Sequence, residues 1–524
     1  MKPRLASRFT VLGLGMSALA ACSGPAFPPG SAYASQAASR QAGVNGDDPA
    51  KRLPVAVTRA PSTADSVLTD TADGPLTAGF ARTLFTDAPV VVVSGSAPAA
   101  LTAAEQAARA AHAPLLLAPP SSPQAIAALA ASAKALRPVA VLTEGLPAAE
   151  AKALAKRLPG VKVVGRAAAL PATRVPAPLS HVAVLVPADP GQQGAPVAAV
   201  TATVEAAGAA VVSVAGTDPR ADPAAVTTLA RLRPDAVVAV GAQFGPAARL
   251  ASRISVAETG RQLPGGGQVL FPGRRLVAMY GHPGTPGLGV LGQQDLAASI
   301  TRARHLAAEY RPLSRVPVVP AFEIIATVAE ASPGPDGTYS YETPVSELLP
   351  WVRQATADGL YVVLDLQPGR ASLLSQAEHY QSLLALPDVG LALDAEWKLQ
   401  PGQKPLRQIG HVDIGEVNGV VNWLATLTAR HHLPQKLLVL HQFQLAMLSG
   451  EQHLDTSRDD LAIVIHMDGQ GTPGVKQGTW DAVTAAAPPK VFFGWKNFLV
   501  KDHPMLTPSE TMTKTPAPVM ISYQ

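Results

Sequence analysis

The stretch Gly390-Leu-Ala-Leu-Asp-Ala-Glu-Trp397 passes from apolar into acidic residues, and strands that end in this way decide the predicted fold of the second half of the chain. Similar short apolar runs recur from Arg275 onward, and amphipathic helical stretches separate most of them. Eight such strand–helix units in about 250 residues match a (β/α)8 barrel in number and length, so we predict a TIM-type barrel over residues 270–524. The predicted strands are Leu276–Tyr280, Val318–Ile325, Tyr361–Leu366, Gly390–Asp394, Lys436–His441, Leu461–His466, Lys490–Gly494 and Val519–Tyr523.

Polar residues collect at the carboxyl ends of these strands, where barrel enzymes build their active sites. The fourth strand leads into Asp394 and Glu396, and alternate strand residues point the same way, so both carboxylates are expected in the barrel mouth. Two carboxylates held together away from water have pKa values pushed apart, which keeps one protonated near neutral pH as a general acid requires. The pair is therefore the predicted catalytic centre. The residues predicted to bind substrate around it are Glu323, Asp365, Gln367, Trp397, His441, Gln442, His466, Asp468, Trp495 and Tyr523.

The segment Leu393-Asp-Ala-Glu-Trp397 resembles the fourth-strand Asp-x-Glu of barrel glycoside hydrolases such as families 18 and 25. The resemblance implies that Glu396 protonates the glycosidic oxygen and that Asp394 assists it. Family 18 has further acidic residues upstream, where this chain has Gly390 and Ala392. Family 25 has an acidic first strand, which Met279-Tyr-Gly-His282 does not provide. The resemblance therefore implies a distant or unclassified barrel hydrolase. Trp397, Trp495 and Tyr523 end strands four, seven and eight, where aromatic rings either stack on sugar faces or cap the barrel core.

Two alternatives to this hydrolase remain open at the level of sequence. A metal-dependent hydrolase would use histidine with carboxylates, a set that suits zinc or manganese, although no His-x-His or His-Glu-x-x-His spacing is present. The second alternative is a non-catalytic surface protein that binds carbohydrate, because a barrel fold does not specify chemistry. No cofactor is predicted. The residues that would converge on a metal are His282, Glu323, Asp365, His441, His466 and Asp468.

The first half of the chain alternates continuous apolar runs with Ala-rich helical stretches, which is typical of parallel strands buried on both faces. We therefore predict a doubly wound α/β region. Because its strand ends carry few histidine or acidic residues, this region is expected to bind and space rather than catalyse. The predicted strands are Val90–Val93, Leu115–Leu117, Val139–Leu142, Val161–Val164, Val182–Val186, Val211–Val214 and Val237–Val240.

An internal duplication divides this region into predicted units 63–175 and 176–262. The segments 111–117 and 207–213 are alike, as are 136–141 and 232–237, and both pairs are 96 residues apart. The first unit also resembles the type 2 cell-wall-binding repeat of Gram-positive surface proteins, through Ala113-Pro-Leu-Leu-Leu117 and the later Leu136-Arg-Pro-Val-Ala-Val141. The resemblance implies attachment to an anionic wall polymer. A pair of lobes like those of periplasmic binding proteins is the competing interpretation.

The start of the chain has the three parts of a secretory signal peptide: basic residues, a short apolar run and small residues before the cut. It ends in Leu19-Ala-Ala-Cys22, which resembles a bacterial lipobox, and Cys22 is the only cysteine in 524 residues. The resemblance implies that residues 1–21 are removed and that Cys22 carries a lipid. Residues 22–62 are rich in Pro, Gly, Ser and Ala and are predicted to form a disordered tether. We therefore expect a lipid-anchored protein on the extracytoplasmic face of the cell membrane.

The charge and composition of the chain limit the classes of partner that it is expected to bind. Charged residues make up 15% of the chain, and of the net charge of +4 three positive charges lie in residues 1–21. No basic face of the size that nucleic acid requires is therefore expected. The partners predicted from location and aromatic strand ends are the membrane lipid and a cell-wall or extracellular polysaccharide.

Overall fold

The computed structural model describes residues 53–69, 72–118 and 122–524. The predicted signal peptide, Cys22 and most of the predicted tether lie outside these residues. Ala50–Gln524 forms one compact unit. Within the described ranges, no helix has the length and apolar character needed to cross a membrane.

Strands and helices alternate in the part of the chain ahead of the barrel. Its helices are α1 (Asp73–Leu84), α2 (Pro98–Ala111), α3 (Pro123–Ala135), α4 (Ala148–Arg157), α5 (Ala195–Ala206), α6 (Pro223–Leu232) and α7 (Ala247–Ala257). Its strands are β1 (Val57–Thr58), β2 (Asp65–Leu68), β3 (Phe85–Asp87), β4 (Val90–Ser94), β5 (Leu115–Leu117), β6 (Ala140–Glu144), β7 (Lys162–Val164), β8 (Val182–Pro187), β9 (Ala210–Val214) and β10 (Ala236–Val240).

Two four-stranded parallel sheets organise this region. Their orders are β5-β4-β6-β7 and β9-β8-β10-β2, so the second sheet repeats the order of the first with β2 in the fourth place. Alternate residues of β4 enter different apolar clusters, Val91 and Val93 in one and Val90 and Val92 in another, because helices cover both faces. All seven predicted strands are confirmed, and the region is mixed α/β with parallel sheets.

The second half of the chain forms a closed barrel of eight parallel strands, as predicted. The order around it is β11-β12-β14-β15-β17-β19-β20-β21, and β21 pairs with β11 to close the ring. The strands are β11 (Arg275–Gly281), β12 (Val318–Ala329), β13 (Ser340–Glu342), β14 (Tyr361–Leu366), β15 (Val389–Asp394), β16 (Val412–Asp413), β17 (Lys436–His441), β18 (Leu448–Ser449), β19 (Leu461–Met467), β20 (Phe492–Asn497) and β21 (Met520–Tyr523). The helices are α8 (Leu296–Tyr310), α9 (Val345–Ala357), α10 (Leu373–His379), α11 (Gln381–Leu384), α12 (Ile414–Arg430), α13 (Pro473–Ala486) and α14 (Pro508–Thr511).

Side-chain alternation separates an outer from an inner barrel core. On β15, Leu391 and Leu393 pack outward among the helices, whereas Ala392 packs inward with Val363 and Val439 of the neighbouring strands. The inward positions are apolar in the lower and middle part of the barrel and become polar only toward the carboxyl ends of the strands. This switch along the inner face places the candidate site at that end of the barrel.

Candidate active site

Polar side chains from seven strands fill the inner face of the barrel at its carboxyl end. Each follows the strand alternation two residues above an apolar inner residue, as Glu323 follows Ala321 and His441 follows Val439. All of them are buried. The set is Tyr280 (β11), Glu323 (β12), Asp365 (β14), Asp394 (β15), His441 (β17), His466 (β19) and Lys496 (β20).

His441 is the centre of this layer. Its Nδ1 lies 2.9 Å from Asp468 Oδ2, its Nε2 lies 2.9 Å from Glu323 Oε1, and the same Nε2 is 3.7 Å from Asp365 Oδ1. Burial alone would lower the pKa of His441, but the charges and hydrogen bonds of Asp468 and Glu323 raise it well above its ordinary value. The protonated form of His441, in which both ring nitrogens donate, is therefore favoured. Burial acts to raise the pKa of Asp468, but the positive charge of His441 and its hydrogen bond lower this pKa overall.

A hydrogen-bonded chain of Tyr280, Asp365 and Gln367 continues the layer on one side of His441. The Tyr280 hydroxyl donates to Asp365 Oδ2 at 2.8 Å, and Gln367 Nε2 donates to the same hydroxyl at 3.3 Å. Burial raises the pKa of Asp365 to about 6, although the charge of His441 opposes the shift. Asp365 thus changes its protonation state close to neutral pH.

On the other side, His466 is held neutral. Its Nε2 lies 2.7 Å from Ser522 Oγ, and its ring lies edge-on to that of His441 at a centroid distance of 5.4 Å. Burial, and then the positive charge of His441, lower the pKa of His466 well below its ordinary value. A Cβ on Gly494 would lie 2.0 Å from His466 Nδ1, so this imidazole occupies space that only a glycine leaves free.

Asp394 and Glu396 are neighbours at the mouth, but not for the predicted reason. The strand ends at Asp394, and Glu396 lies in a 3-10 turn, Ala395–Trp397, in which Asp394 Oδ1 accepts the Glu396 amide at 3.2 Å. Burial raises the pKa of Asp394 well above its ordinary value, and the negative charge of Asp365 adds to the shift. Burial followed by the charge of Asp468 also raises the pKa of Glu396. Both carboxyls therefore retain their protons to higher pH than exposed ones.

A cavity of about 420 Å³ opens above this layer. Glu396, Asp394 and Asp468 line it, together with Lys496, Tyr280 and three further aromatic rings. Asp468 contributes an Oδ1 that has no hydrogen-bond partner within the described part of the chain, so this oxygen is available to a bound molecule. The three rings are those of Trp397, Phe443 and Phe498.

Two predicted aromatic contacts do not occur at the cavity. Trp495 is fully buried on the outer side of β20 against Trp480, at a centroid distance of 5.5 Å. Tyr523 faces α8, where its hydroxyl lies 2.6 Å from that of Tyr310. Both side chains are one residue out of phase with the inward positions, so neither stacks on a molecule in the cavity.

Gln442 is also directed away from the layer. Its Nε2 donates to Glu451 Oε2 at 2.8 Å, in the turn that follows β17. Of the residues predicted for a metal site, His282 stands apart, because its ring nitrogens lie 3.0 Å from Thr285 Oγ1 and 3.1 Å from Thr343 Oγ1. Within residues 53–69, 72–118 and 122–524, no group of three His, Cys, Asp or Glu side chains is arranged to hold a metal ion.

Sequence reasoning missed four residues of the site: Tyr280, Lys496, Phe443 and Phe498. The inward phase of β11 gave a usable signal for Tyr280, since it lies two residues after Ala278. Lys496 was missed because the seventh strand was predicted to end at Gly494, whereas it continues to Asn497. Phe443 and Phe498 follow strands in loops, where no periodicity marks them.

The fold and the layer define this half of the chain as a (β/α)8-type barrel with a buried histidine and several carboxyl groups beneath an open cavity. No protein-family model, curated protein or solved structure matches the chain.

Proposed function

We propose that the barrel is a glycoside hydrolase that acts on a cell-envelope or extracellular glycan. The observation that supports this proposal is a pair of carboxyl groups, Glu396 and Asp468, which line one cavity and have pKa values shifted in opposite directions. A glycosidase needs one carboxylic acid that donates a proton and one carboxylate that stays ionised. Glu396 has the raised pKa of the donor, and Asp468 has the lowered pKa of the anion.

The reaction assigns a role to each group. Glu396 gives its proton to the glycosidic oxygen as the bond to the anomeric carbon breaks. Water then supplies the hydroxyl group that this carbon gains, and the remaining proton of that water restores the carboxylic acid of Glu396. Asp468, held ionised by His441, places negative charge next to the oxocarbenium-like transition state. Asp394 accepts the Glu396 amide and fixes the turn that carries the acid. Trp397, Phe443 and Phe498 supply apolar rings on which sugar faces pack.

The test is release of reducing ends from fractionated envelope polysaccharides and peptidoglycan by the purified full chain. Glu396→Gln should lower the rate by about 10²- to 10⁴-fold, the usual contribution of a general acid. The matched control is Glu378→Gln, the same change at an exposed position of α10, which should leave the rate unchanged.

The pH profile of the same activity should be bell-shaped. Activity falls with rising pH as Glu396 loses its proton, and it falls with falling pH as Asp468 gains one. With a substrate whose leaving group needs no proton, the fall in activity at high pH should disappear. Activity removed by EDTA and restored by zinc would instead support the metal-dependent alternative, and no turnover of any glycan would support the non-catalytic one.

We also propose a location at the membrane surface for this barrel. The lipobox-like segment ending at Cys22 supports lipid attachment, and two doubly wound units ahead of the barrel would bind wall polymer and space the barrel from the membrane. Cys22→Ala should move the protein from the membrane fraction to the soluble exported fraction. Retention in the membrane fraction, with no lipid mass on Cys22 of the unchanged protein, would contradict the anchor.

A further inference from the structure

Lys496 is a buried cation without a polar partner. Only 3% of the residue is exposed, and its Nζ lies 3.4 Å above the centroid of the Tyr280 ring. Within the described part of the chain its ammonium makes no hydrogen bond and no ion pair. The charge of Lys496 acts to lower the pKa values of the carboxyl groups of Asp365, Glu396 and Asp468, but none of them accepts a hydrogen bond from its ammonium. Burying an ammonium whose donors are unused is expensive, so this arrangement requires an explanation.

The other buried lysines of the barrel show how this chain normally satisfies such a charge. Lys436 donates to the carbonyls of Pro387 and Val389 at 3.2 and 2.9 Å. Lys398 pairs with Glu416 at 2.7 Å, and Lys476 pairs with Asp502. Lys496 alone among these four lacks a protein acceptor, and it alone lines the cavity above the carboxyl layer.

A second lysine faces the same space. Lys501 lies in the loop after β20, lines the cavity and is exposed. It likewise has no hydrogen bond or ion pair to the described residues. Asp502 fixes this loop, since its Oδ1 accepts the Gly471 amide and its Oδ2 accepts the Phe498 amide, both at 2.9 Å. The cavity therefore contains two lysines as well as its carboxyl groups, and the charges of both lysines act to lower the pKa of Glu396, against burial and the charge of Asp468.

We propose that Lys496 and Lys501 bind an anionic substituent, a carboxylate or a phosphate, on the sugar that occupies the cavity. The inference rests on the proposed function in that this sugar is part of the substrate, and it defines the substrate class as an acidic glycan. Charge-assisted hydrogen bonds from a desolvated ammonium are about twice as strong as neutral ones and so distinguish acidic from neutral sugars. The Tyr280 ring fixes the ammonium in position before the ligand binds.

The test is calorimetric binding to the full chain carrying Glu396→Gln, so that the result does not depend on turnover. Three pairs of probes separate the sources of the anion: N-acetylmuramic acid against N-acetylglucosamine, glucuronate against glucose, and glucose 6-phosphate against glucose. At least one acidic member should bind about tenfold more tightly than its neutral partner, a difference that added salt reduces.

The preference should disappear with Lys496→Met and fall several-fold with Lys501→Met, an exposed site at which folding is not at issue. Lys490→Met is the matched control, because Lys490 precedes β20 at the opposite end of the barrel, and it should keep the full preference. Equal binding within every pair, no binding of any acidic probe, or a preference that survives both substitutions would overturn the proposal. If the protein releases reducing ends but shows no preference for acidic probes, the proposed hydrolase function is retained and only the inference of an acidic substrate is refuted.

Discussion

At the residue scale, Gly494 shows how one backbone position sets the orientation of a site histidine. The His466 imidazole occupies the place of the missing Cβ, and this contact holds the ring edge-on to His441. Interiors are close-packed, so an added methyl group has to displace either the ring or the strand. The absence of a side chain at Gly494 of β20 thus makes room for a histidine of the site.

We expect Gly494→Ala to lower the free energy of unfolding by about 1–3 kcal/mol, the usual cost of overpacking a core. Urea denaturation measures the change. Gly478→Ala is the matched control, because nothing lies within 4 Å of the added Cβ and the residue is exposed inside α13. That substitution should stabilise the protein by about 0.5–1 kcal/mol through helix propensity. Equal effects of the two substitutions would refute the packing argument.

At the element scale, β20 and the loop after it connect the core to the cavity. Asp502 receives two backbone amides and the buried ammonium of Lys476, which in turn donates to the Lys496 carbonyl at 2.6 Å. This one carboxylate therefore fixes both ends of a segment that carries Phe498 and Lys501. Strand β20 supplies the buried cation, Lys496, and the loop after it supplies the exposed cation, Lys501.

Asp502→Asn should destabilise the protein by about 3–5 kcal/mol, since it leaves the Lys476 ammonium buried without its counter-charge. It should also raise KM more than it lowers kcat, because the loop positions substrate and not the acid. Asp358→Asn breaks the exposed pair with Arg304 and should leave the free energy of unfolding nearly unchanged, because exposed ion pairs contribute little. A loss of stability at position 502 no larger than at position 358 would show that the buried pair does not anchor the loop.

At the scale of the whole molecule, Asp459 links the first half of the chain to the barrel. Its carboxylate lies 2.7 Å from Arg220 and 2.8 Å from Arg253, and both guanidinium groups also contact Asp218. Gln268 of the connector reinforces the junction, because its backbone N–H donates to the Arg220 carbonyl and its own carbonyl accepts the backbone N–H of Gln435. Four charged side chains and the backbone of a buried glutamine thus hold the sheets against the barrel.

We expect Asp459→Asn to cost about 1–2 kcal/mol, less than a fully buried pair because the Asp459 side chain is 39% exposed. In calorimetry the unfolding of the two halves should separate, whereas the unchanged protein should show one transition. Asp455→Asn, which alters only contacts with the nearby Ser457 and Arg458, should leave the single transition intact. One transition in both variants would mean that Asp459 does not couple the halves.

The sequence by itself determined the number and order of the barrel strands, because each is a continuous apolar run buried on both faces. It also marked Glu323, Asp365, Asp394, His441, His466 and Asp468, since polar residues at the ends of buried strands are rare enough to be recognised. The matched segments of the predicted duplication fall on β5 and β9 and on β6 and β10, which hold equivalent places in the two sheets.

Only the tertiary structure decided the rest. β2 was not predicted, because Asp65-Ser-Val-Leu68 is short and only half-buried. This segment forms a strand only through its pairing with β10, which is far away in the chain. The extension of β20 by three residues turned Trp495 outward and Lys496 inward, since a strand alternates with a period of two. Closure of the barrel brought Glu323 of β12, 118 positions away in the chain, and Asp468, 27 positions away, onto the two nitrogens of His441. No local sequence pattern encodes these contacts.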